Sequence, residues 1–184
     1  MRTVKSTAPI ETRRLCLRVF EPADLNPLAE INIDPEVMRY TGDGNPVSPE
    51  ETEKRFGSYL KQWREHQFGL RAAVHKEDKT LIGFCGLQII ANTPEIEIGF
   101  RFAKRYWAQG LATEAAIATL RHGFATLDLD RIVGLAHPEN VASQRVLEKS
   151  GLIYERDAHY YDHLVRYYAI HRNQLFRIPN QGCV

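Results

Sequence analysis

The sequence predicts an α/β chain of the α+β kind, with one mixed β-sheet of about six to seven strands flanked by helices. Three observations predict it. Apolar residues alternate with period two in several short runs and follow helical spacing between them. The elements run strand, two helices, three strands, helix, strand, helix, two strands. Three strands before the central helix exclude a doubly wound parallel sheet.

The first strand is Thr12 to Phe20, whose apolar face is Leu15, Leu17 and Val19. Glu21-Pro22 opens a helix-like segment with Leu25, Leu28 and Ala29, provided that Pro27 falls in its first turn. Asp34-Pro35 starts a short helix, with Asp34 as N-cap and Pro35 at the first position. Thr41 to Val47 is a loop by composition. Ser48-Pro49-Glu50-Glu51 reads as a capping box. Phe56, Tyr59, Leu60 and Trp63 follow at helical spacing to near Gln67.

Leu70 to His75 and Leu81 to Ile90 are strands joined by the hairpin Lys76 to Thr80. Gly83 and Gly86 inside the second of them signal a bulge or a close backbone approach. Cys85 between them has no neighbouring base and reads as a small core residue. Arg131 to Ala136 is a strand, and Asn140 caps a helix that Gly151 stops. Leu152 to Arg156 and Leu164 to His171 are the last strands. Phe176 to Val184 has no pattern and reads as a loose tail. The expected organisation is one domain over residues 10–172 and a tail over 173–184.

The central stretch, Glu95 to Ala116, carries the chemistry. Ile96, Ile98, Phe100 and Phe102 point one way on a strand, and Glu95, Glu97, Gly99 and Arg101 the other. Ala112, Ala115, Ala116, Leu120, Phe124 and Leu127 then make a helical stripe. The basic turn between them precedes a helix N-terminus, whose free N–H groups and dipole suit an anion. An ordinary strand-to-helix connection fits the pattern equally well.

Composition narrows the function. The chain has 184 residues, 43% hydrophobic and 26% charged, with a net charge of +1. That supports a folded core and gives no sequence-wide case for nucleic acid or anionic membrane. Cys16, Cys85 and Cys183 are odd in number and widely spaced, as expected of reduced thiols in a cytoplasmic protein. No apolar run approaches a membrane span, and the first residues lack a signal-peptide core. No metal is expected. His159 and His163 are read as one strand face about 13 Å apart, and no Cys or carboxylate completes a zinc spacing. Tyr160 and Tyr161 read as hairpin aromatics more readily than as border residues of a site.

The phrases EIGF and RYWAQGLATEA resemble the acetyl-CoA-binding segment of the GNAT superfamily of N-acetyltransferases. Its Arg/Gln-x-x-Gly-x-Gly/Ala motif falls on Arg105, Ala108 and Gly110, with alanine at the first glycine. NVASQRVLEKSG, Asn140 to Gly151, is similar to the family's Asn-x-x-Ser-x-x-x-Leu-x-x-x-Gly segment. GFCGL and EKRFGSYLKQW resemble the branch holding ribosomal-protein N-terminal acetyltransferases.

The resemblance implies a GNAT fold with splayed fourth and fifth strands, and acetyl-CoA as acetyl donor. It implies pyrophosphate contacts from Arg105, Ala108, Gln109, Gly110, Ala112 and Thr113. Asn140 and Ser143 fall near the pantetheine and the sulfur, although an N-cap and a first-turn hydroxyl are their plain readings. The main chain of Phe100 and Phe102 would pair with the pantetheine arm as an extra strand does.

Glu97 matches the family's acidic position and is the candidate base, with Glu95 as the alternative carboxylate; either can also be an ordinary strand glutamate. The acceptor is a primary amine, either a peptide N-terminus or a small molecule such as an aminoglycoside, polyamine or amino-acid derivative. A non-catalytic acyl-CoA sensor is the third reading, resting on Ala108. The chain is expected as a monomer or homodimer.

Overall fold

In a computed structural model that describes residues 7–178, the alternating runs form one sheet of eight strands. They are β1 (Ile10–Glu11), β2 (Leu15–Arg18), β3 (Leu70–His75), β4 (Thr80–Ile89), β5 (Ile96–Phe102), β6 (Arg131–Ala136), β7 (Ile153–Tyr160) and β8 (His163–His171). Their order is β1-β2-β3-β4-β5-β6-β8-β7. All neighbours are antiparallel except β5 and β6. The strand beyond the expected six to seven is β1, whose two residues are too few to show a period.

Among the described residues five α-helices flank the sheet: α1 (Leu25–Asn32), α2 (Pro35–Met38), α3 (Pro49–His66), α4 (Leu111–Thr126) and α5 (Val141–Lys149). Pro27 lies in the first turn of α1, where its missing N–H costs nothing. Asp34 and Ser48 cap α2 and α3 through the N–H groups of Glu36 and Glu51. Leu111, Ala115, Leu120 and Phe124 of α4 pack with Leu147 of α5 on one sheet face. Leu28 and Ile31 of α1 and Phe56 of α3 cover Leu70, Ala72 and Phe84 on the other.

Strand β4 serves both cores by breaking its alternation at Gly83. Leu81 and Phe84 face α3, while Ile82 and Cys85 face α4. Ala73 pairs with Gly83 and Val74 with Leu81, so Ile82 is the extra residue of a bulge in β4 itself, which absorbs the shift. Gly83 has φ +151°, and a Cβ there would lie 2.0 Å from the Arg101 carbonyl oxygen. At Gly86 a Cβ would lie 2.4 Å from the Gly69 oxygen. Both expected glycine roles, bulge and close approach, are present. Cys85 is fully buried beside Thr119, and burial raises its thiol to about 12.

Three expectations are corrected. Strand β2 is shorter than Thr12 to Phe20, because Thr12 turns back to bond the Leu15 carbonyl and Phe20 leaves for the α3 core. His159 and His163 sit on opposite strands of the β7–β8 hairpin, paired with Leu164 and Tyr160. Among the described residues no cluster of metal-ligating side chains occurs. The tail is not loose up to Ile178: Arg172–Arg177 form a 3-10 turn, and Ile178 is 3% exposed within the α4 core. Cys183 and the rest of that segment lie outside the described residues. No helix among those residues is long and apolar enough to cross a membrane.

Candidate active site

The site follows from the one parallel pairing. β5 and β6 meet in a single register pair, Glu97 with Val133, and part beyond it. A cleft of about 350 Å³ lies against them, lined by Glu97 to Arg101 on β5, by Leu135 and Ala136 at the end of β6 and by His137 just after it. Ala103 donates to the Ile82 carbonyl on β4. Strand alternation therefore turns the N–H and C=O groups of Phe100 and Phe102 away from β4, toward the gap. The Phe102 carbonyl accepts from the Trp107 indole at 2.7 Å. The Phe102 side chain is buried in the α4 core, and that of Phe100 is half-buried at the cleft wall.

Glu97 faces the cleft from the opposite side of β5. It is 6% exposed, so it is not a solvated strand glutamate. Gln88, its register partner on β4, donates to Oε2 at 3.0 Å. Tyr161 donates to the same oxygen at 2.8 Å. Burial pushes the Glu97 carboxyl above the usual carboxylate range, and the two donors only partly offset it.

Glu95 differs in every respect. It pairs with Arg131 at 3.1 Å and accepts bonds from Tyr160, at 2.5 Å, and from Tyr167. Burial acts to raise its pKa, but these bonds together outweigh it and hold the carboxyl below the usual range. Glu95 is thus a structural anion and a poor base.

Helix α5 begins at the mouth of the gap. The Asn140 side-chain oxygen accepts from the Ser143 N–H at 3.0 Å, so the N-cap reading of Asn140 holds in the geometry. Both residues also line the cleft. Gln144 donates to the His137 and Pro138 carbonyls and pins the loop that precedes them.

The remaining candidates form a separate group. Arg105, Ala108, Gln109 and Gly110 are exposed, and Ala112 and Thr113 half-buried, on the turn from β5 into α4. Ala108 has φ +57° and Gly110 φ +77°. Ala108 takes the left-handed conformation that the motif glycine would supply, at a cost of about 1–2 kcal/mol. The turn is formed despite the substitution. Arg14 donates to the Gln109 carbonyl at 2.8 Å and pairs with Glu114 at 2.8 Å. The acid in the first turn of α4 is thereby neutralised, and the helix end is left suited to an outside anion. The small residues, the left-handed turn and the open β5 backbone fit a pyrophosphate and a pantetheine arm.

Sequence reasoning missed several residues of the cleft. Gln88 becomes a neighbour of Glu97 only through the β4–β5 register. Tyr160 and Tyr161 belong to the site, because the β7–β8 hairpin folds its tip over β5. Arg101 lines the cleft and donates to Asn32 at 2.6 Å. Tyr40 stacks on His137, with ring centroids 5.2 Å apart, across the mouth.

A family model described as Acetyltransferase (GNAT) domain matches residues 14–153. The Bacillus subtilis (strain 168) protein described as "Uncharacterized N-acetyltransferase YnaD" is 34% identical over 143 residues, 78% of this chain and 81% of that one. A solved acetyltransferase from Agrobacterium tumefaciens str. C58 superposes with a TM-score of 0.80 at 28% identity, covering 90% of this chain and 95% of that one. The solved RimL ribosomal L7/L12 α-N-protein acetyltransferase shares the fold with a TM-score of 0.74 at 19% identity, covering 89% and 93%. At that identity the likeness shows the fold alone.

Proposed function

Because this chain belongs to the GNAT acetyltransferase family, an acetyl-transferring group of enzymes, we propose that it moves the acetyl group of acetyl-CoA to a primary amine with Glu97 as the base. The observation that carries the reading is Glu97 itself. It is a buried carboxylate facing a cleft, with no cation among the described residues bonded to it and a pKa raised by burial. A base poised nearer neutrality takes a proton more effectively than an exposed carboxylate does.

The turn from Arg105 to Thr113 would hold the pyrophosphate, and the Phe100 and Phe102 main chain the pantetheine arm. Asn140 and Ser143 would border the thiol end. Acetyl-CoA supplies the thioester carbonyl that the amine attacks. Glu97 takes the ammonium proton, directly or through one water. Gln88 and Tyr161 keep its carboxylate oxygen aimed into the cleft. The hydroxyl of Ser143, one turn into α5, holds the proton that the departing sulfur needs.

We put α-amines ahead of lysine-type amines. An α-amine of pKa about 7.7–8.0 is neutral about 10–15% of the time at pH 7, against far less than about 0.1% for lysine. A peptide N-terminus is one form of that acceptor, and the phrases resembling ribosomal-protein N-terminal acetyltransferases favour it. The test is free-thiol release from acetyl-CoA with a panel of peptide N-termini, amino-acid derivatives, polyamines and aminoglycosides. Release with at least one amine supports the reading, and release with none contradicts it.

A further inference from the structure

We propose that the acceptor carries a carboxylate, which Arg101 binds at the end of the cleft remote from Glu97. The inference rests on the reading of this cleft as the amine site. Arg101 points from the same face of β5 as Glu97 and lines the same cleft. Asn32, itself fully buried, holds one guanidinium nitrogen at 2.6 Å, and the Phe84 ring lies under the group at 5.2 Å. The arginine is therefore oriented by the protein rather than free to swing.

No carboxylate among the described residues pairs with it; its charged or titratable neighbours are Tyr59 and Arg55. Tyr59 stays neutral because burial raises its phenol. Arg55 is a cation already paired with Glu51. A half-buried guanidinium with no carboxylate bonded to it lacks the partner that such groups ordinarily have. Asn32, Phe84 and Tyr59 bring no charge to match it and Arg55 brings only another cation, which leaves that partner to be supplied by the ligand.

One fixed guanidinium suits a single carboxylate, which it can grip with two parallel bonds. The spacing limits the ligand further. Glu97 and Arg101 are four residues apart, so their Cα atoms are separated by about 13 Å. An extended tripeptide spans about 10 Å, and the two side chains cover the rest. The acceptor is thus an α-amine with a carboxylate a few bonds to about three residues away, such as a short peptide or an amino-acid derivative. Polyamines and aminoglycosides, being polycations, are disfavoured by the same charge.

The experiment compares triglycine with triglycine amide as acceptors, by thiol release from acetyl-CoA, with each rate corrected for its fraction of neutral amine. The wild-type chain prefers the acid by about 10- to 100-fold in kcat/KM, the range of one lost charged hydrogen bond. Arg101→Gln brings the ratio close to one, and Arg101→Lys keeps part of it. A wild-type ratio near one overturns the inference, whatever the variants do, and leaves amine acetylation standing. A ratio that survives in a folded Arg101→Gln also overturns it. No thiol release with either peptide, while another amine reacts, overturns the inference alone. No release with any amine contradicts the activity itself.

Discussion

Tyr161, at the tip of the β7–β8 hairpin, donates a hydrogen bond of 2.8 Å to Glu97 in the centre of the sheet, 64 residues earlier in the chain. The contact depends on backbone shape at the tip. Tyr161 and Asp162 have φ of 52° and 63°, the left-handed pair that closes a two-residue hairpin turn. Burial, and then the charge of Glu97, raises the pKa of the Tyr161 hydroxyl, so it stays a donor.

Tyr161→Phe removes a donor to the ionised form of Glu97. The Glu97 pKa then rises further, and the acid limb of the kcat/KM profile moves to higher pH. A hydrogen bond to a charged group is worth about 1.5–3 kcal/mol, which corresponds to a shift of about one to two pH units. A limb that stays in place removes Tyr161 as a positioning residue.

Ser143→Ala leaves the α5 cap in place, because Asn140 bonds the backbone N–H of that residue rather than its hydroxyl. Turnover falls by about 10- to 1,000-fold if the hydroxyl supplies the departing sulfur with a proton. A change confined to KM makes it a binding residue instead.

Gly110→Asp tests the turn. A Cβ there meets nothing nearer than the Arg14 side chain at 3.7 Å, and aspartate tolerates the φ of +77° better than most residues. The fold is retained. A carboxylate at the end of α4 repels the pyrophosphate and weakens acetyl-CoA binding by at least about tenfold, or about 1.4 kcal/mol, in calorimetry. Unchanged affinity excludes this turn as the anion site.

Ile178→Ala tests the anchored end of the chain. Its side chain fills the core beneath α4, so the truncation costs about 2–4 kcal/mol in denaturant unfolding. A cost under about 0.5 kcal/mol would return Ile178 to a loose tail.

The sheet, the central helix and the α5 cap were legible because each has a local signature. The run IEIGFRF alternates, α4 has its stripe, and Asn140 stands three residues before Ser143. The tail was not legible, because a single isoleucine has no period and only the core shows where it docks. The catalytic surroundings were half legible. Glu97 could be chosen from its place on the strand, but its burial could not, since the side chains that bond it come from β4 and from the tip of the β7–β8 hairpin. Gln88 and Tyr161 reach it through strand register and hairpin docking, which are long-range facts. Two neighbouring glutamates thus receive opposite characters: Glu95 meets Arg131, and Glu97 meets neutral donors.

The most direct measurement is the pH dependence of kcat/KM for a reactive amine, in the wild-type chain and in Glu97→Gln. Glu97 has a folded pKa raised above its ordinary 4.5. Its neutral form is therefore favoured on folding. That stabilisation is full below the ordinary value and is lost as pH rises through the raised one, where the working carboxylate forms. The wild type should show an acid limb above pH 4.5, with activity rising as Glu97 ionises. Glu97→Gln should lose that limb and about 10²- to 10⁴-fold in kcat, with acetyl-CoA affinity unchanged in calorimetry. A variant that keeps both the limb and the rate would contradict Glu97 as the base.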